Sequence, residues 1–359
     1  MKKILFISGV FALTALLSGA VSFHGSRPKP YIITYPAYFG GRFSIPEDNP
    51  TTEEGVELGR MLFYEKSLSS TNKFSCSNCH DQKFAFTDRK VFSPGVDSEV
   101  NPRNTMSLAN LLWVKNFFWD GRTEGLEKQV EVPLTGVHEM GQSLDASVAK
   151  VKKKKFYAAR FEKAFGSREI TAKRIVKAIA QFERTLVSAG SRYDLHLQGK
   201  YRLNAEEQNG MDLFFTNPNP SKGVRGAGCA SCHGGPKTYS ELFQNNGLEK
   251  QPNDPDRQAI TGLAIDEGRF RVVTLRNIAL TAPYMHDGRF SSLEQVLDHY
   301  NEHVVQSAFL SPFIKNNSNI ADGEKLGLTA IEKKNIIAFL GSLTDSTFIS
   351  DPRFSDPFK

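Results

Sequence analysis

The four cysteines of this 359-residue chain all fall in two copies of the motif C-x-x-C-H. Two thiols about one helical turn apart can both bond the vinyl groups on one edge of a porphyrin, and the next residue then places an imidazole beneath the iron. A zinc site would need four ligands, and a thioredoxin-like dithiol needs no adjacent histidine. We therefore predict two covalently bound c-type haems. Their attachment residues are Cys76, Cys79 and His80 in the first copy, and Cys229, Cys232 and His233 in the second.

The function of each haem depends on the face of the iron opposite its proximal histidine, His80 or His233. A second strong ligand makes an electron-transfer haem, whereas an open position makes a site for peroxide or dioxygen. For the second haem, the chain after His233 offers several candidate sixth ligands, and their spacing alone does not choose among them. These candidates are Met285, His286, His299, Tyr300 and His303.

A carboxylate and an amide downstream of the first motif are candidates for chemistry on an oxygen ligand. Glu139 near an open iron could move a proton between the two oxygens of peroxide, which heterolytic cleavage requires. Gln129 could hydrogen-bond the bound oxygen, and His138 and Met140 are further candidates nearby. The plain alternative for a lone glutamate is a surface charge. The residues by themselves leave these alternatives open.

Helical periodicity dominates the segments that must position these residues, and strand signals are sparse. Thr52 precedes an apolar helix before the first motif, and Thr171 caps a strongly amphipathic helix after it. The last helix, 329–343, is predicted to turn Ile331 inward with the rest of its apolar residues. A further helix is predicted to run from Ser292 to about residue 303. The chain after the first motif is largely irregular for some twenty residues, and long irregular loops are usually functional.

The chain repeats one order of features. Each half has an entry helix, the C-x-x-C-H motif, an Arg-Asn pair, an Asp-Gly-Arg element and a later amphipathic helix. We predict a mainly α fold of two cytochrome-c-like helical domains, related by duplication and each with one covalently bound haem. The predicted divisions are a signal peptide at 1–22, an N-terminal arm at 23–50, a first haem domain at 51–199, a second haem domain at 200–348 and a tail at 349–359.

Composition and charge are those of an ordinary globular protein. The formal net charge is +6, and because nothing resembles a nucleic-acid-binding motif, no nucleic acid partner is expected. Two lysines and an apolar run to Phe23 indicate a secretory signal cleaved after Ser22, with an uncleaved anchor as the alternative. Export agrees with the haem motifs, because c-type haem is attached outside the bacterial cytoplasm. We therefore predict a periplasmic location.

Five stretches of the chain carry a resemblance to a known family. They are Pro102-Arg103-Asn104, Phe118 to Arg122, Val137 to Met140, Leu275-Arg276-Asn277 and Tyr284 to Arg289. In order and spacing they resemble the bacterial dihaem cytochrome c peroxidase family, which includes MauG. The resemblance runs from about residue 50 to residue 345.

The resemblance implies a role for each haem. The first would be peroxidatic and react with hydrogen peroxide, and the second would pass it electrons from a small cytochrome c or a similar donor. Trp119 falls where the family has a tryptophan between the haems, and Gln129 and Glu139 fall at distal-pocket positions. A calcium ion between the domains is also implied, bound by one side chain and two backbone carbonyls. The matching positions are Asn104 for the side chain, and Thr281 and Pro283 for the carbonyls.

Two departures from the family pattern bear on function. Typical members carry a distal histidine in the loop before Pro-Arg-Asn, but residues 81–101 contain no histidine. The first haem is therefore expected to be open without reductive activation. The family usually has a methionine in the helix after His-Asp-Gly, but that position looks like Tyr300, as in the MauG branch. A phenolate ligand would favour ferric iron and lower the reduction potential.

These features lead to three hypotheses. The first is a periplasmic dihaem peroxidase of the cytochrome-c peroxidase type, which reduces hydrogen peroxide to water. The second is a MauG-like oxidase, which stores two oxidising equivalents and oxidises the side chain of a protein or another substrate. The third is a dihaem electron carrier without catalysis, which requires both irons to be six-coordinate. A homodimer is left open as the assembly.

Overall fold

The computed structural model describes residues 27–250, 252–254 and 256–359. The predicted signal peptide, 1–22, lies outside the described residues. Across the described ranges, no helix is both long enough and apolar enough to cross a membrane.

The described residues are mainly helical with little sheet, which confirms the predicted fold class at that level. The helices are α1 (Glu53–Phe63), α2 (Leu126–Thr135), α3 (Leu144–Lys153), α4 (Lys155–Phe165), α5 (Ala172–Arg184), α6 (Arg192–Leu197), α7 (Ala205–Phe215), α8 (Gln258–Thr261), α9 (Leu293–Asp298), α10 (Pro312–Lys315) and α11 (Ala330–Ser342). Two antiparallel hairpin-like sheets pair β1 (Asn116–Phe117) with β2 (Thr123–Glu124), and β3 (Phe243–Asn245) with β4 (Arg269–Arg271).

The first half is built on the packing of α1 against α5. The Thr52 hydroxyl caps α1 by accepting a hydrogen bond from the N–H of Gly55, and Thr171 caps α5 by accepting from Arg174. Both caps agree with the sequence prediction, since a threonine hydroxyl satisfies an N–H that has no partner within the helix. The apolar faces of the two helices form the centre of the first core. Its members include Leu58, Leu62 and Phe63 from α1, and Ile175, Ile179 and Phe182 from α5.

A glycine marks the place where the two main helices of each half come closest. A Cβ atom on Gly59 of α1 would lie 1.9 Å from the carbonyl oxygen of Ala178 in α5. A Cβ atom on Gly210 of α7 would likewise lie 1.9 Å from the carbonyl oxygen of Asn335 in α11. Only glycine permits backbones to approach this closely. The second half thus repeats the helix crossing of the first, as a duplication would produce, although the duplication itself stays an interpretation.

The last helix, α11, has nearly the predicted extent, but the prediction that Ile331 faces inward is wrong. Ile336 and Phe339 are fully buried, whereas Ile331 is 72% exposed. Ile331 lies five residues before Ile336, and at 3.6 residues per turn the two side chains leave the helix on different faces. The core of the second half therefore depends on the later turns of α11.

Both ends of the described chain pack onto the body of the protein. In the arm, Phe39 lies edge-on to Trp113, with ring centroids 5.3 Å apart. At the other end, Phe354 is buried in the first core, and its carbonyl accepts a hydrogen bond from the Tyr64 hydroxyl at 2.7 Å. The segment predicted as a tail, 349–359, thus contacts the first core through Phe354. The division between the two haem domains stays a prediction.

The crossing of α7 and α11 predicts a large effect for a single methyl group. Gly210→Ala forces the helices apart, and we expect the free energy of unfolding to fall by about 1–3 kcal/mol. Gly341→Ala, in α11, is the matched control, because no heavy atom lies within 4 Å of its Cβ position. The control should be neutral or more stable by up to about 1 kcal/mol. Chemical denaturation followed by circular dichroism compares the two variants, and equal stabilities would contradict the crossing.

Candidate functional site

The first C-x-x-C-H motif folds as a tight turn. Its residues Cys76–Asn78 form one 3-10 turn, and the Asn78 side chain accepts a hydrogen bond from the N–H of Ser75 at 2.8 Å. The N–H groups of Cys79 and His80 both donate to the carbonyl of the first cysteine, at 3.2 and 3.0 Å. The turn sets the two thiols at the spacing that attachment to one porphyrin edge needs.

A backbone carbonyl fixes the ring of His80. Nδ1 donates a hydrogen bond to the carbonyl of Phe86 at 2.8 Å, and because a carbonyl only accepts, Nε2 stays free to bind a metal. Ala85 and Phe86 are both left-handed, with φ of 52° and 62°, and the N–H of Phe86 donates to the carbonyl of Asp81 at 2.9 Å. Such conformations are uncommon outside glycine and cluster at functional sites.

The second motif has the same local turn but is held by a distant carbonyl. Cys229–Ser231 form a 3-10 turn, and the N–H of His233 donates to the carbonyl of Cys229 at 2.9 Å. Nδ1 of His233 donates to the carbonyl of Val273 at 3.0 Å. Val273 lies two residues after β4, so the orientation of this ring depends on the second sheet. As at the first motif, Nε2 stays free.

The cysteines and histidines of the two motifs have the chemistry that haem attachment needs. No disulfide joins any two of the four cysteines, and burial raises the pKa of Cys79 and of Cys232 to about 11. Burial lowers the pKa of His80, and it lowers the pKa of His233 to about 4. Both imidazoles are therefore neutral at physiological pH, which is the form that binds a metal. Paired reduced thiols beside a neutral histidine with a free Nε2 fit a c-type haem.

A large cavity lies beside the second motif and includes residues of both halves. Its lining includes the motif histidine, His233, and three of the candidate sixth ligands, Met285, His286 and Tyr300. Much of the remaining lining is apolar, which suits a flat porphyrin ring. The apolar residues include Leu275, Ile278, Val296, Leu297 and Leu340.

The three candidate histidines have different surroundings. His303 is exposed, and the ring of His286 stacks on Phe270 with centroids 3.7 Å apart. His299 donates a hydrogen bond from Nε2 to the carbonyl of Asn246 at 3.0 Å, which leaves its Nδ1 free. Of these three residues, His286 lines the cavity and the other two do not.

Tyr300 and Met285 instead reach the same point on the cavity wall. Tyr300 Oη and Met285 Sδ lie 3.4 and 3.5 Å from the side-chain nitrogen of Asn246. Tyr300 belongs to a π-helical turn, His299–His303, that continues α9, and single π turns are frequent at functional sites. Burial raises the pKa of Tyr300 to about 12, so the phenol is neutral unless a cation lies beside it. Tyr300 as the ligand stays a prediction.

The predicted distal pair of the first site carries two unsatisfied oxygens. Gln129 lies in α2, and Glu139 lies in the turn that follows it. Each has one buried side-chain oxygen, Gln129 Oε1 and Glu139 Oε2, that has no hydrogen-bond partner in the described part of the chain. A buried oxygen without a partner costs about 1–3 kcal/mol, so such groups are rare unless a ligand satisfies them. Burial raises the pKa of Glu139, and the charge of Arg122 opposes this shift. The carboxyl therefore keeps its proton to a higher pH than usual.

The irregular loop after the first motif is hydrogen-bonded to the turn that carries Glu139. The carbonyl of Glu139 accepts a hydrogen bond from the N–H of Val96 at 3.1 Å, and its own N–H donates to Gly136 at 3.0 Å. Beside it, Nδ1 of His138 lies 2.8 Å from the carboxylate of Asp97. The loop thus holds the backbone of Glu139 in place, and it contains no histidine that could bind the first iron.

Trp119 belongs to a chain of hydrogen bonds that links an element of the first half to an element of the second. Its indole N–H donates to the carbonyl of Asn104 at 2.9 Å, and the N–H of Asn104 donates to the carbonyl of His286 at 2.7 Å. The rings of Trp119 and His286 lie edge to face, with centroids 6.4 Å apart. Trp119 therefore connects the Arg-Asn pair of the first half to the His-Asp-Gly element of the second, and it also lines the large cavity. Its place between two haems stays a prediction.

The three predicted calcium ligands line the same cavity. The side-chain nitrogen of Asn104 donates to the carbonyls of Lys90 and Val91 at 2.8 and 3.2 Å, which leaves Oδ1 as an acceptor. In the described ranges, no N–H or O–H donates to this Oδ1 or to the carbonyls of Thr281 and Pro283. Amide and carbonyl oxygens are ligands that calcium prefers, so the three groups fit the ion.

Two residues at these sites escaped the sequence analysis. Asn246 directly follows β3. The sequence gives no sign of a functional role for it, because an asparagine after a strand is typical of an ordinary turn. Glu183 lies in α5 at 5% exposure, and its Oε2 has no partner within the described residues. Burial raises its pKa to about 8. The sequence does carry one sign of Glu183: it is a charged residue next to Phe182, on the buried side of an amphipathic helix.

Glu183 predicts a pH-dependent stability. Because its pKa is higher in the folded protein than in the unfolded chain, its contribution is fully present below about pH 4 and is lost as the pH rises toward 8. Glu183→Gln is neutral at every pH, so it should lose less stability than the wild type between about pH 5 and pH 8. Denaturation curves at both pH values measure this, with Glu131→Gln, at an exposed position of α2, as the control. Parallel losses in the wild type and Glu183→Gln would contradict the assignment.

Known proteins resemble this chain over most of its length. Residues 53–202 match the family model of di-haem cytochrome c peroxidase. Cytochrome c551 peroxidase of Nitrosomonas europaea is 37% identical over 254 residues, covering 69% of this chain and 73% of that protein. Methylamine utilization protein MauG of Methylorubrum extorquens is 33% identical over 341 residues, covering 93% of this chain and 91% of that protein.

A solved structure shares the fold closely. A crystal structure of a MauG-like protein associated with microbial copper homeostasis aligns with a TM-score of 0.83 and 36% identity, covering 92% of this chain and 100% of that chain. The resemblance inferred from the sequence is therefore confirmed. The chain belongs to the di-haem cytochrome c peroxidase family, which includes both cytochrome c peroxidases and MauG-like enzymes.

Proposed function

We propose that the protein is a dihaem peroxidase whose first haem, held by His80, reacts with hydrogen peroxide. The observation that carries this proposal is the pair of buried, unpartnered oxygens at the first site, Gln129 Oε1 and Glu139 Oε2. Hydrogen peroxide has two O–H donors and is a ligand of the kind that such oxygens would accept a hydrogen bond from. A bound haem supplies the iron that takes up peroxide and the electrons that break its O–O bond.

The two side chains divide the work on the peroxide. Glu139, with Oε2 free, accepts a proton from one peroxide oxygen and returns it to the other, which makes the departing oxygen a water molecule. Its raised pKa suits this exchange, because a carboxyl group that titrates nearer neutrality both takes and gives a proton readily. Gln129 accepts a hydrogen bond from the peroxide O–H through Oε1 and so orients it. The hydrogen bond from the N–H of Val96 holds the backbone of the turn that carries Glu139.

We propose that this site is open in the oxidised protein, without prior reduction of the second haem. The stretch 81–101 contains no histidine, and its loop is already hydrogen-bonded to the Glu139 turn. Trp119, with its indole fixed on Asn104, supports electronic coupling between the haems. The electrons then come from a small cytochrome c or a similar donor. A periplasmic location follows from the predicted signal, and no homodimer is needed for this chemistry.

A specific observation favours a second candidate, a MauG-like oxidase. Tyr300 lines the cavity of the second motif together with His233, and a phenolate ligand would hold the second iron ferric at low potential. Such a haem is a poor entry point for electrons from an ordinary cytochrome c. It is better suited to sharing an oxidising equivalent with the first haem until a protein side chain supplies the electrons. The 36% identity to a MauG-like protein supports this reading of the second site.

We also propose a calcium ion at Asn104, Thr281 and Pro283. The support is the absence, in the described chain, of donors to their three oxygens. The backbone carbonyl of Asn104 also accepts the hydrogen bond from the Trp119 indole. An ion bound to Oδ1 of Asn104 would therefore restrict the motion of that tryptophan.

The role of Glu139 predicts a kinetic defect without a structural one. Glu139→Gln keeps both haems but cannot carry the proton, so the reaction of ferric protein with peroxide should slow by about 10²–10⁴-fold. Stopped-flow absorbance at the haem bands measures this rate. The control is Glu131→Gln in α2, an exposed carboxylate that should react like the wild type. An unchanged rate in Glu139→Gln would remove Glu139 from the mechanism.

One assay separates the candidate functions. A cytochrome c peroxidase should oxidise reduced cytochrome c in proportion to the peroxide added. A MauG-like oxidase should consume peroxide with little cytochrome oxidation and leave a persistent oxidised species that decays when a protein substrate is added. An electron carrier should show no high-spin ferric component that shifts on adding cyanide or peroxide. The Tyr300→Met variant should move the behaviour toward cytochrome oxidation, because a thioether raises the potential of the second haem.

A further inference from the structure

We propose that Asn246 is a positioning residue that selects Tyr300 over Met285 as the sixth ligand of the second haem. The inference rests on the proposed function in one respect, since it takes a haem to be bound at His233. It does not depend on the reaction that the first haem performs.

The side-chain amide of Asn246 lies close to both competing side chains. Its nitrogen lies 3.4 Å from Tyr300 Oη and 3.5 Å from Met285 Sδ. The first distance is longer than a usual N–H···O hydrogen bond, so the amide binds the neutral phenol only weakly. An amide nitrogen carries two hydrogens, so it can donate to both atoms at once. All three side chains line the cavity that holds His233.

The backbone that carries the amide is anchored. The carbonyl of Asn246 accepts a hydrogen bond from Nε2 of His299 at 3.0 Å, so it grips the residue just before Tyr300. On the other side, the carbonyl of Asn245 accepts from the N–H of Ser311 at 3.0 Å, and the Asn245 side chain donates to the carbonyl of Glu267 at 3.0 Å. The backbone around the amide is therefore tied to three separate segments.

The two acceptors differ in what they gain from the amide. A phenolate oxygen accepts a charge-assisted hydrogen bond, which is about twice as strong as a neutral one. A thioether sulfur is only a weak acceptor. Bound to iron as phenolate, Tyr300 would draw the amide into a strong hydrogen bond, whereas Met285 as ligand would leave that donor almost unused. The amide therefore favours tyrosine ligation over methionine ligation.

Met285 is a real competitor because of its backbone as well as its sulfur. Its φ of 75° is left-handed, a conformation that is uncommon for a long side chain. The next residue, His286, is held by its stack on Phe270 and by the hydrogen bond to Asn104. The backbone of Met285 thus starts from a fixed place on the cavity wall. Removal of the amide would leave the thioether to compete with the phenol.

The test replaces the amide by an apolar group of similar shape. In haem-loaded Asn246→Leu, the tyrosinate–iron charge-transfer band should weaken, a methionine–iron band should appear in the ferric protein, and the potential of the second haem should rise. The double variant Asn246→Leu/Met285→Leu should lose the methionine band. If Asn246→Leu does not fold, Asn246→Asp keeps the size, removes the donors and should shift the ligation in the same direction.

Asn316 provides a matched control. It is an exposed asparagine of the second half and is not among the residues that line the cavity. Asn316→Leu should keep the wild-type spectrum and potential. Wild-type ligation and potential in every folded Asn246 variant would overturn the proposal, and so would an equal shift in Asn316→Leu. Peroxide binding to the first haem is read separately from its high-spin bands, so a failure of the proposed function would be recognised independently.

Discussion

One hydrogen bond in each half determines what the two candidate haem sites can do: the bond from Nδ1 of the motif histidine to a backbone carbonyl. It decides which ring nitrogen keeps the proton and therefore which nitrogen can meet an iron. For His80 the acceptor is Phe86, six residues away in a loop made tight by two left-handed residues. For His233 it is Val273, forty residues away. The same chemical requirement is met locally in one half and by tertiary structure in the other.

The hydrogen bond from His233 to Val273 couples the second site to the first half. The strand that leads to Val273 is held from the first half, because the N–H of Arg271 donates to the carbonyl of Trp119 at 2.7 Å. The indole of Trp119 in turn donates to Asn104. A shift of the tryptophan would therefore be felt at the carbonyl that orients His233. The proximal side of the second site and the residue proposed to connect the haems form one hydrogen-bonded unit.

Those parts of the structure that depend on local sequence were predictable. Helix caps such as Thr52 and Thr171 follow from residue type and position, and the motif turns follow from the spacing of the cysteines. The orphaned oxygen of Glu139 was predictable only through the family resemblance, since an isolated glutamate is usually a surface charge. Contacts between distant segments left no local trace. Val273 behind His233 and Phe354 in the first core belong to that class.

The sixth ligand of the second haem is a sharper case of this limit. The sequence predicts a helix from Ser292 to about residue 303, and the chain is helical over that range, but its last turn, His299–His303, is π-helical. A π turn has i→i+5 bonding, so each residue advances through a smaller angle than in an α-helix. Periodicity of 3.6 therefore cannot say which side chain of this turn faces the cavity. In our proposal the outcome depends on Asn246, whose backbone carbonyl accepts a hydrogen bond from His299 and whose amide nitrogen lies 3.4 Å from Tyr300 Oη. The proposed ligand of the second haem is thus selected by a residue that follows β3, some fifty residues before the helix that carries the ligand.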